Sequence, residues 1–259
     1  MRLPRKNNNP FQNLASQLRL SWIEHLKELR QRLIYIVIAF FIVFLLCITL
    51  ISKLYNYFVS PLLAEHLQLI VVGPGEIITV YLAISGATAI GLTFPFIMWQ
   101  TWGFVSPGLT DKERVYTLRL IPFTLLMFVA GLCFAWFLVF PTILHFLIHF
   151  TEQQGLGIFL RAGTYFSFLT SIVLPFGFVF ELPVVVVFLT RLGVVTPKFL
   201  RKSRRYAYLV IVIFGVLISP PELISHLSVT VPMICLYELS ILLSVVALAR
   251  RIKHQQVME

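Results

Sequence analysis

Long apolar runs separated by short polar segments organise this chain. Six runs can be read, roughly from Leu33 to Ser52, Ile77 to Thr101, Leu120 to His145, Tyr165 to Thr190, Tyr206 to Ser219, and Leu227 to Ala249. A helix of about 20 apolar residues crosses a hydrocarbon core of about 30 Å, and all but the fifth run reach that scale. The fifth has 14 residues, or about 21 Å of helix, and Pro220 and Pro221 then stop it. A span this short must thin the bilayer, tilt its neighbours or lie in a concave assembly. Ahead of the first run, Leu14, Leu18, Trp22, Leu26, Leu29 and Leu33 recur at three- and four-residue spacing. That spacing predicts an amphipathic helix leading into the first span. Ser21 and Glu24 have capping-box spacing, which marks a start or restart of that helix.

Composition agrees with the pattern. The chain is 58% hydrophobic and only 12% charged, about half the charge of a soluble domain. The predicted fold class is an all-α membrane protein of six transmembrane helices preceded by the amphipathic N-terminal helix. Residues 1–13 are expected to be disordered, 14–250 to form a single six-span membrane domain, and 251–259 to be a short basic tail. No cleavable signal peptide is expected, because a mostly polar stretch precedes the first span. All of the 21 Lys and Arg except Lys53 and Arg161 fall in the N-terminal segment, the second and fourth loops and the tail. The positive-inside rule then puts both termini on the cytoplasmic (or stromal) side. The net charge of +10 is therefore a topology signal, and nucleic acid is not an expected partner. Cys47, Cys133 and Cys235 all fall in apolar runs and read as inert core cysteines.

One polar residue stands out inside the membrane. Glu181 lies ten residues before Arg191 in an otherwise apolar run, about 15 Å along a helix and near the midplane. An acid there costs on the order of 3 kcal/mol, so such residues face a partner or a water-filled cavity. Its proton-bearing form could donate a hydrogen bond to a partner helix within lipid. The competing reading is a structural acid bonded inside its own bundle. Pro175 and Pro183 flank it and predict kinks. Outside the membrane, Ser60-Pro61-Leu62 and Gly73-Pro74-Gly75-Glu76 predict a cap of short helices and turns. His145 and His149 share a helical face, but no third ligand is near, and neither metal nor cofactor is expected.

The inner face carries few acids: Glu24, Glu28, Asp111, Glu113 and Glu259. Four of these cluster in two short segments beside spans. Glu24 and Glu28 share a face with Arg32 a further turn along, and the plain reading is a solvated face with a Glu28–Arg32 pair. Four clustered acids on a basic face also suit a small cationic ligand or peptide. Carboxylates take guanidinium in bidentate geometry, which favours arginine over lysine.

The motifs carry a specific resemblance. Glu24-His-Leu-Lys-Glu-Leu-Arg-Gln-Arg-Leu33 resembles the N-terminal signature of the TatC family, the multispanning subunit of the twin-arginine (Sec-independent) protein translocase. Trp102-Gly-Phe104, Pro107-Gly-Leu109 and Lys112-Glu113-Arg114 are similar to that family's first cytoplasmic loop. Phe180-Glu181-Leu182-Pro183, Ser219-Pro-Pro-Glu222 and Tyr237-Glu238 resemble its fourth-span, fifth-loop and sixth-span motifs, in family order. Glu222 departs from the family pattern, which more often has Asp there.

The resemblance implies a signal-peptide receptor and core subunit that exports folded proteins using the proton-motive force. It implies that Glu28 and Glu113 meet the signal arginines, that Arg30 and Phe104 shape the site, and that Pro107 fixes the loop. Asp111 and Glu24 could share that work. It further implies intramembrane polar or partner contacts at Glu181, Ser219, Glu222 and Glu238. The implied partners are twin-arginine precursor proteins, single-span subunits of the TatA/TatB type, and further copies in a multimeric receptor complex. The implied location is a bacterial inner membrane or a thylakoid, and the high Phe and Ile content suggests a cyanobacterial or plastid source. A rival reading is a proton-coupled small-molecule transporter with Glu181 and Glu238 as a relay, although no internal repeat is visible. Enzyme activity is not expected, since no H-E-x-x-H, G-x-S-x-G or nucleotide loop is present.

Overall fold

The computed structural model describes the backbone of residues 10–64, 67–106, 111–155, 157–219 and 222–256. Side chains are described from His25 onward, except those of 63–66, 107–119, 156, 220–221 and 250–259. The fold is almost entirely helical. Helix α1 runs unbroken from Pro10 to Thr49. Ser21 therefore starts nothing: the predicted amphipathic helix and the first span are one rod. Residues 10–13, expected to lack structure, are its first turn. At the other end α10, Leu223–Gln256, carries the basic tail onward as helix.

Helix α2, Ile51–Ala64, follows α1 after a turn at Leu50 and contains Pro61. Short helices and turns were expected around Ser60-Pro61, and a 14-residue helix passes through them. Pro61 has no N–H for the Tyr57 carbonyl, and the Ser60 hydroxyl donates to that carbonyl at 2.7 Å. Beyond α2, the two-residue strand β1, Leu69–Ile70, pairs in parallel with β2, Leu160–Arg161, a small exception to an all-α fold. The predicted Gly73-Pro74-Gly75 turn is present, closed by Glu76 N–H donating to Gly73 O at 3.0 Å.

Helix α3 spans Glu76–Val105. Helix α4, Asp111–Phe134, continues through a π-helical turn at Ala135–Val139 into α5, Phe140–Gln153. The expected kink in the fourth run is a break between α6, Ala162–Val179, and α7, Leu182–Leu192. Gly193, with φ of 80°, ends α7 in the left-handed conformation that glycine adopts without strain. Thr196 then caps the short α8, Pro197–Lys202, by accepting from Phe199 N–H. Helix α9 spans Arg204–Ile218.

Five segments among the described residues are long and apolar enough to cross a membrane: His25–Thr49, Glu76–Val105, Leu120–Gln153, Ala162–Leu192 and Leu223–Ala249. Helix α9 has 15 residues and falls short of that length. The outward faces bear exposed Phe41, Leu45, Trp99, Phe137, Leu217 and Leu242. Such a surface belongs in hydrocarbon. Two of the expected core cysteines lie on it: Cys133 and Cys235 are exposed, and Cys47 is buried. In the interior, α4 and α6 cross closely at glycines. A Cβ on Gly131 would lie 2.7 Å from the Phe176 carbonyl, and one on Gly177 would lie 2.7 Å from the Phe128 ring.

The outer half is cemented by aromatics from four elements. Trp136 stacks on Tyr57 and Phe140, and Tyr165 donates to the Phe58 carbonyl at 2.7 Å. Above them Glu76 forms a latch. Its Oε2 accepts from Val72 N–H at 2.9 Å. Its Oε1 accepts from Gly163 N–H at 2.9 Å and from Arg161 at 2.7 Å. These bonds tie the two outer loops and the β1–β2 pair to the starts of α3 and α6. Replacing Glu76 with alanine strands all three donors. The expected result is faster amide hydrogen exchange in 67–75 and 157–163, with the interiors of α3 and α6 unchanged in the same measurement.

Candidate functional site

Residues 25–32 of α1 pack against the last turns of α3, and the spacing of a helical turn brings the key groups together. His25 and Glu28 are three apart on α1, and Gln100, Gly103 and Phe104 occupy the last turns of α3. The rings of His25 and Phe104 stack with centroids 4.2 Å apart. One turn along, Glu28 Oε1 accepts from Arg32 Nη2 at 2.6 Å and from Arg32 Nε at 3.1 Å. Arg32 Nη1 reaches across to Gln100, donating to its backbone carbonyl at 3.2 Å and to its side-chain oxygen at 3.4 Å. The predicted Glu28–Arg32 pair is therefore part of a bridge between two helices. Its guanidinium also lies over Gly103, where a Cβ would sit 2.9 Å from Arg32 Cζ.

Two negative features meet at this corner. The last carbonyls of a helix carry its negative end, and α3 ends here with Glu28 beside it. Glu28 keeps 34% of its side-chain surface exposed and is reachable from water. Arg30 is exposed; two residues along the helix, it projects from a different face than Glu28. Glu113 falls in the first turn of α4, and its side chain lies outside the described residues, as do those of Glu24 and Asp111. Pro107 also lies outside them. Trp102 faces the other way, buried edge-on against Phe188 of α7 at 4.5 Å.

The membrane-embedded candidates divide into satisfied and unsatisfied groups. Glu181 occupies the break between α6 and α7, where Pro183 cannot continue the ladder. It is 7% exposed, and neither carboxyl oxygen has a hydrogen-bond partner among the described residues. Glu222 likewise buries one oxygen, Oε2, without a partner. Ser219 donates to Gly215 O at 2.8 Å and is bonded to His226 Nδ1. Glu238 is fully engaged across the α9–α10 contact. Its Oε2 accepts from Arg204 at 2.6 Å, and its Oε1 accepts from the Tyr208 hydroxyl. No hydrogen-bonded relay joins Glu181 to Glu238 among the described residues. No cluster of three metal-ligating side chains occurs among them either.

Sequence reasoning missed Gln100, Gly103 and the full reach of Arg32. The three- and four-residue spacing on α1 pointed to the pair but not to the helix it bridges. It also missed Arg204 and Tyr208 as partners of Glu238, since 34 and 30 residues separate them.

Five apolar segments of membrane-spanning length, a carboxylate–guanidinium pair at the end of one of them and a buried acid without a partner among the described residues mark a multi-pass integral membrane protein. Residues 24–232 match the family described as Sec-independent protein translocase protein (TatC), and the chain belongs to that family. It is 40% identical to Sec-independent protein translocase protein TatCy of Bacillus subtilis (strain 168), over 87% of this chain and 89% of that one. It is 42% identical to a TatC protein of Halalkalibacterium halodurans over the same shares. A crystal structure of the twin-arginine translocase receptor TatC superposes with a TM-score of 0.78 at 32% identity, covering 86% of this chain and 99% of that chain.

The α9–α10 network gives a direct check on the short helix. Glu238→Ala should destabilise the protein by about 1–2 kcal/mol, because it leaves Arg204 and Tyr208 unpaired in a part-exposed setting. Tyr208→Phe should cost less, about 0.5–1 kcal/mol. Thermal unfolding of the purified protein in detergent reads both.

Proposed function

We propose that this chain is the signal-peptide receptor and core subunit of a twin-arginine translocase, exporting folded proteins with the proton-motive force. The observation that carries this reading is the inner α1–α3 corner, where a part-exposed carboxylate already seats a guanidinium between helices. A signal peptide bearing paired arginines offers the same group. Glu28 and Glu113 read the signal arginines, Phe104 and Arg30 shape the site, and Pro107 sets the loop. The protein crosses the membrane six times, α9 being the short fifth span, with both termini on the cytoplasmic side. The distribution of Lys and Arg supports that orientation. The bacterial sources of its relatives favour a bacterial inner membrane over a thylakoid. The chain acts as a transport subunit and not as an enzyme.

Glu181 supports a second part of the reading. A buried carboxyl that no described residue satisfies lowers stability, so its use lies with a group from outside. Single-span subunits of the TatA/TatB type supply that group, with Ser219, Glu222 and Glu238 marking a further contact around the short span. Twin-arginine precursors and other copies of this chain complete the complex.

Two experiments test these roles. Site-specific crosslinking of a twin-arginine precursor in membranes should fall at least tenfold in Glu28→Gln plus Glu113→Gln, and equally when the precursor arginines become lysines. Crosslinking indifferent to both changes would reduce the acids to a solvated face. Separately, Glu181→Leu should leave the unfolding temperature unchanged or higher, while copurification of single-span partners is lost. A lower unfolding temperature with partners retained would make Glu181 a structural acid.

A further inference from the structure

The guanidinium seated on Glu28 belongs to the protein itself, and this has a consequence for any ligand of that carboxylate. Arg32 places Nε and Nη2 on one oxygen of Glu28 and Nη1 on two oxygens of Gln100. The arrangement uses the fork of donors that makes arginine, and not lysine, a good carboxylate ligand. Gly103 leaves the space that the guanidinium fills. A methyl group there would displace it, so glycine is part of the seat. The pair is also shallow: Arg32 and Glu28 keep 24% and 34% of their side-chain surfaces exposed. A pair in that setting is held by little net free energy and exchanges partners readily.

We propose that Arg32 is an internal placeholder for the signal arginine, and that recognition proceeds by exchange of one guanidinium for another on Glu28. The inference rests on the receptor reading above. In the unliganded protein Arg32 keeps the carboxylate paired and the α1–α3 corner closed. An incoming arginine takes over the Glu28 oxygen, and Arg32 swings toward water, one ion pair replacing another. The closed fraction weakens the apparent affinity of every ligand by the same factor. That factor is about two- to fivefold for a part-exposed pair. A uniform penalty leaves the preference for arginine over lysine untouched, yet drops weakly binding peptides below useful occupancy.

The test is equilibrium binding of two fluorescent synthetic signal peptides, one with an Arg-Arg pair and one with Lys-Lys, to the full chain in lipid nanodiscs. Four proteins are compared: wild type, Arg32→Gln, Gly103→Ala and Glu28→Gln. The placeholder predicts that Arg32→Gln and Gly103→Ala each lower Kd about two- to fivefold for both peptides, with their ratio unchanged. The two variants reach the same state by different routes, one by removing the guanidinium and one by displacing it without a change of charge. Either one that folds therefore decides the matter. If Kd is unchanged or raised in these variants while Glu28→Gln still weakens Arg-Arg binding, Arg32 only positions Glu28; the placeholder fails and the receptor reading stands. If wild type and Glu28→Gln bind both peptides alike, the receptor reading fails and takes the inference with it.

Discussion

Hydrocarbon supplies no hydrogen bonds, so every polar group carried into it must find a partner within the protein. The backbone meets this constraint by being helix. Many hydroxyl side chains meet it by folding back on their own helix: Thr124, Thr142, Thr170, Thr190 and Ser240 each donate to the carbonyl four residues earlier, whereas Ser85, Thr88, Thr93 and Ser225 bury hydroxyls with no partner among the described residues. Even proline is accommodated this way, with the Ser60 hydroxyl donating to the carbonyl that Pro61 leaves free. Against that background the exceptions gain meaning. Glu181 sits where the ladder is already interrupted, and its two oxygens face no donor among the described residues. An unpaired carboxylate costs far more than an unpaired hydroxyl, and the fold satisfies Glu238 but leaves Glu181 without a partner among the described residues. The contrast between the two acids is the physical reason for assigning Glu181 to an external partner.

The same constraint explains what the sequence made legible. Run length and basic flanks reveal spans because the bilayer imposes both, and the five long segments fall where the apolar runs do. The shortness of α9 was legible for the same reason: 14 apolar residues cannot become 20. The break near Glu181 was foreshadowed by Pro175 and Pro183, although its position was not. Interactions that close long loops were invisible. Glu76 meets Arg161 across 85 residues and Gly163 across 87, and no local pattern encodes such a meeting. The continuity of α1 through Ser21 was misread because a capping-box spacing is weak beside 40 residues of continuous helix.

At the inner corner, the residue types were legible and their arrangement was not. Glu28, Arg32 and Phe104 stand out by charge and position, but whether Arg32 faces water or bridges to α3 depends on helix packing. Gly103 shows the limit. In sequence it is a glycine near a turn, whereas in the fold it is the floor beneath a guanidinium. The signal that could have found it is the absence of a side chain at a helix crossing.

Among the described residues three carboxylate–arginine pairs join helices or loops, Glu28–Arg32, Glu76–Arg161 and Glu238–Arg204, and the settings of the first two differ most. Glu76 is 5% exposed in its side chain and divides both oxygens among two backbone N–H groups and Arg161. Replacing Arg161 with another cation would leave the two backbone bonds in place, so the outer latch does not depend on one partner. Glu28 is 34% exposed and holds Arg32 through a single oxygen, with no backbone N–H to fix it among the described residues. Its partner is reachable from water and replaceable by anything that presents a similar fork of donors. Identical chemistry therefore yields a buried joint with backbone support in one place and a shallow one held through a single oxygen in another. Burial and the number of backbone donors decide which is which.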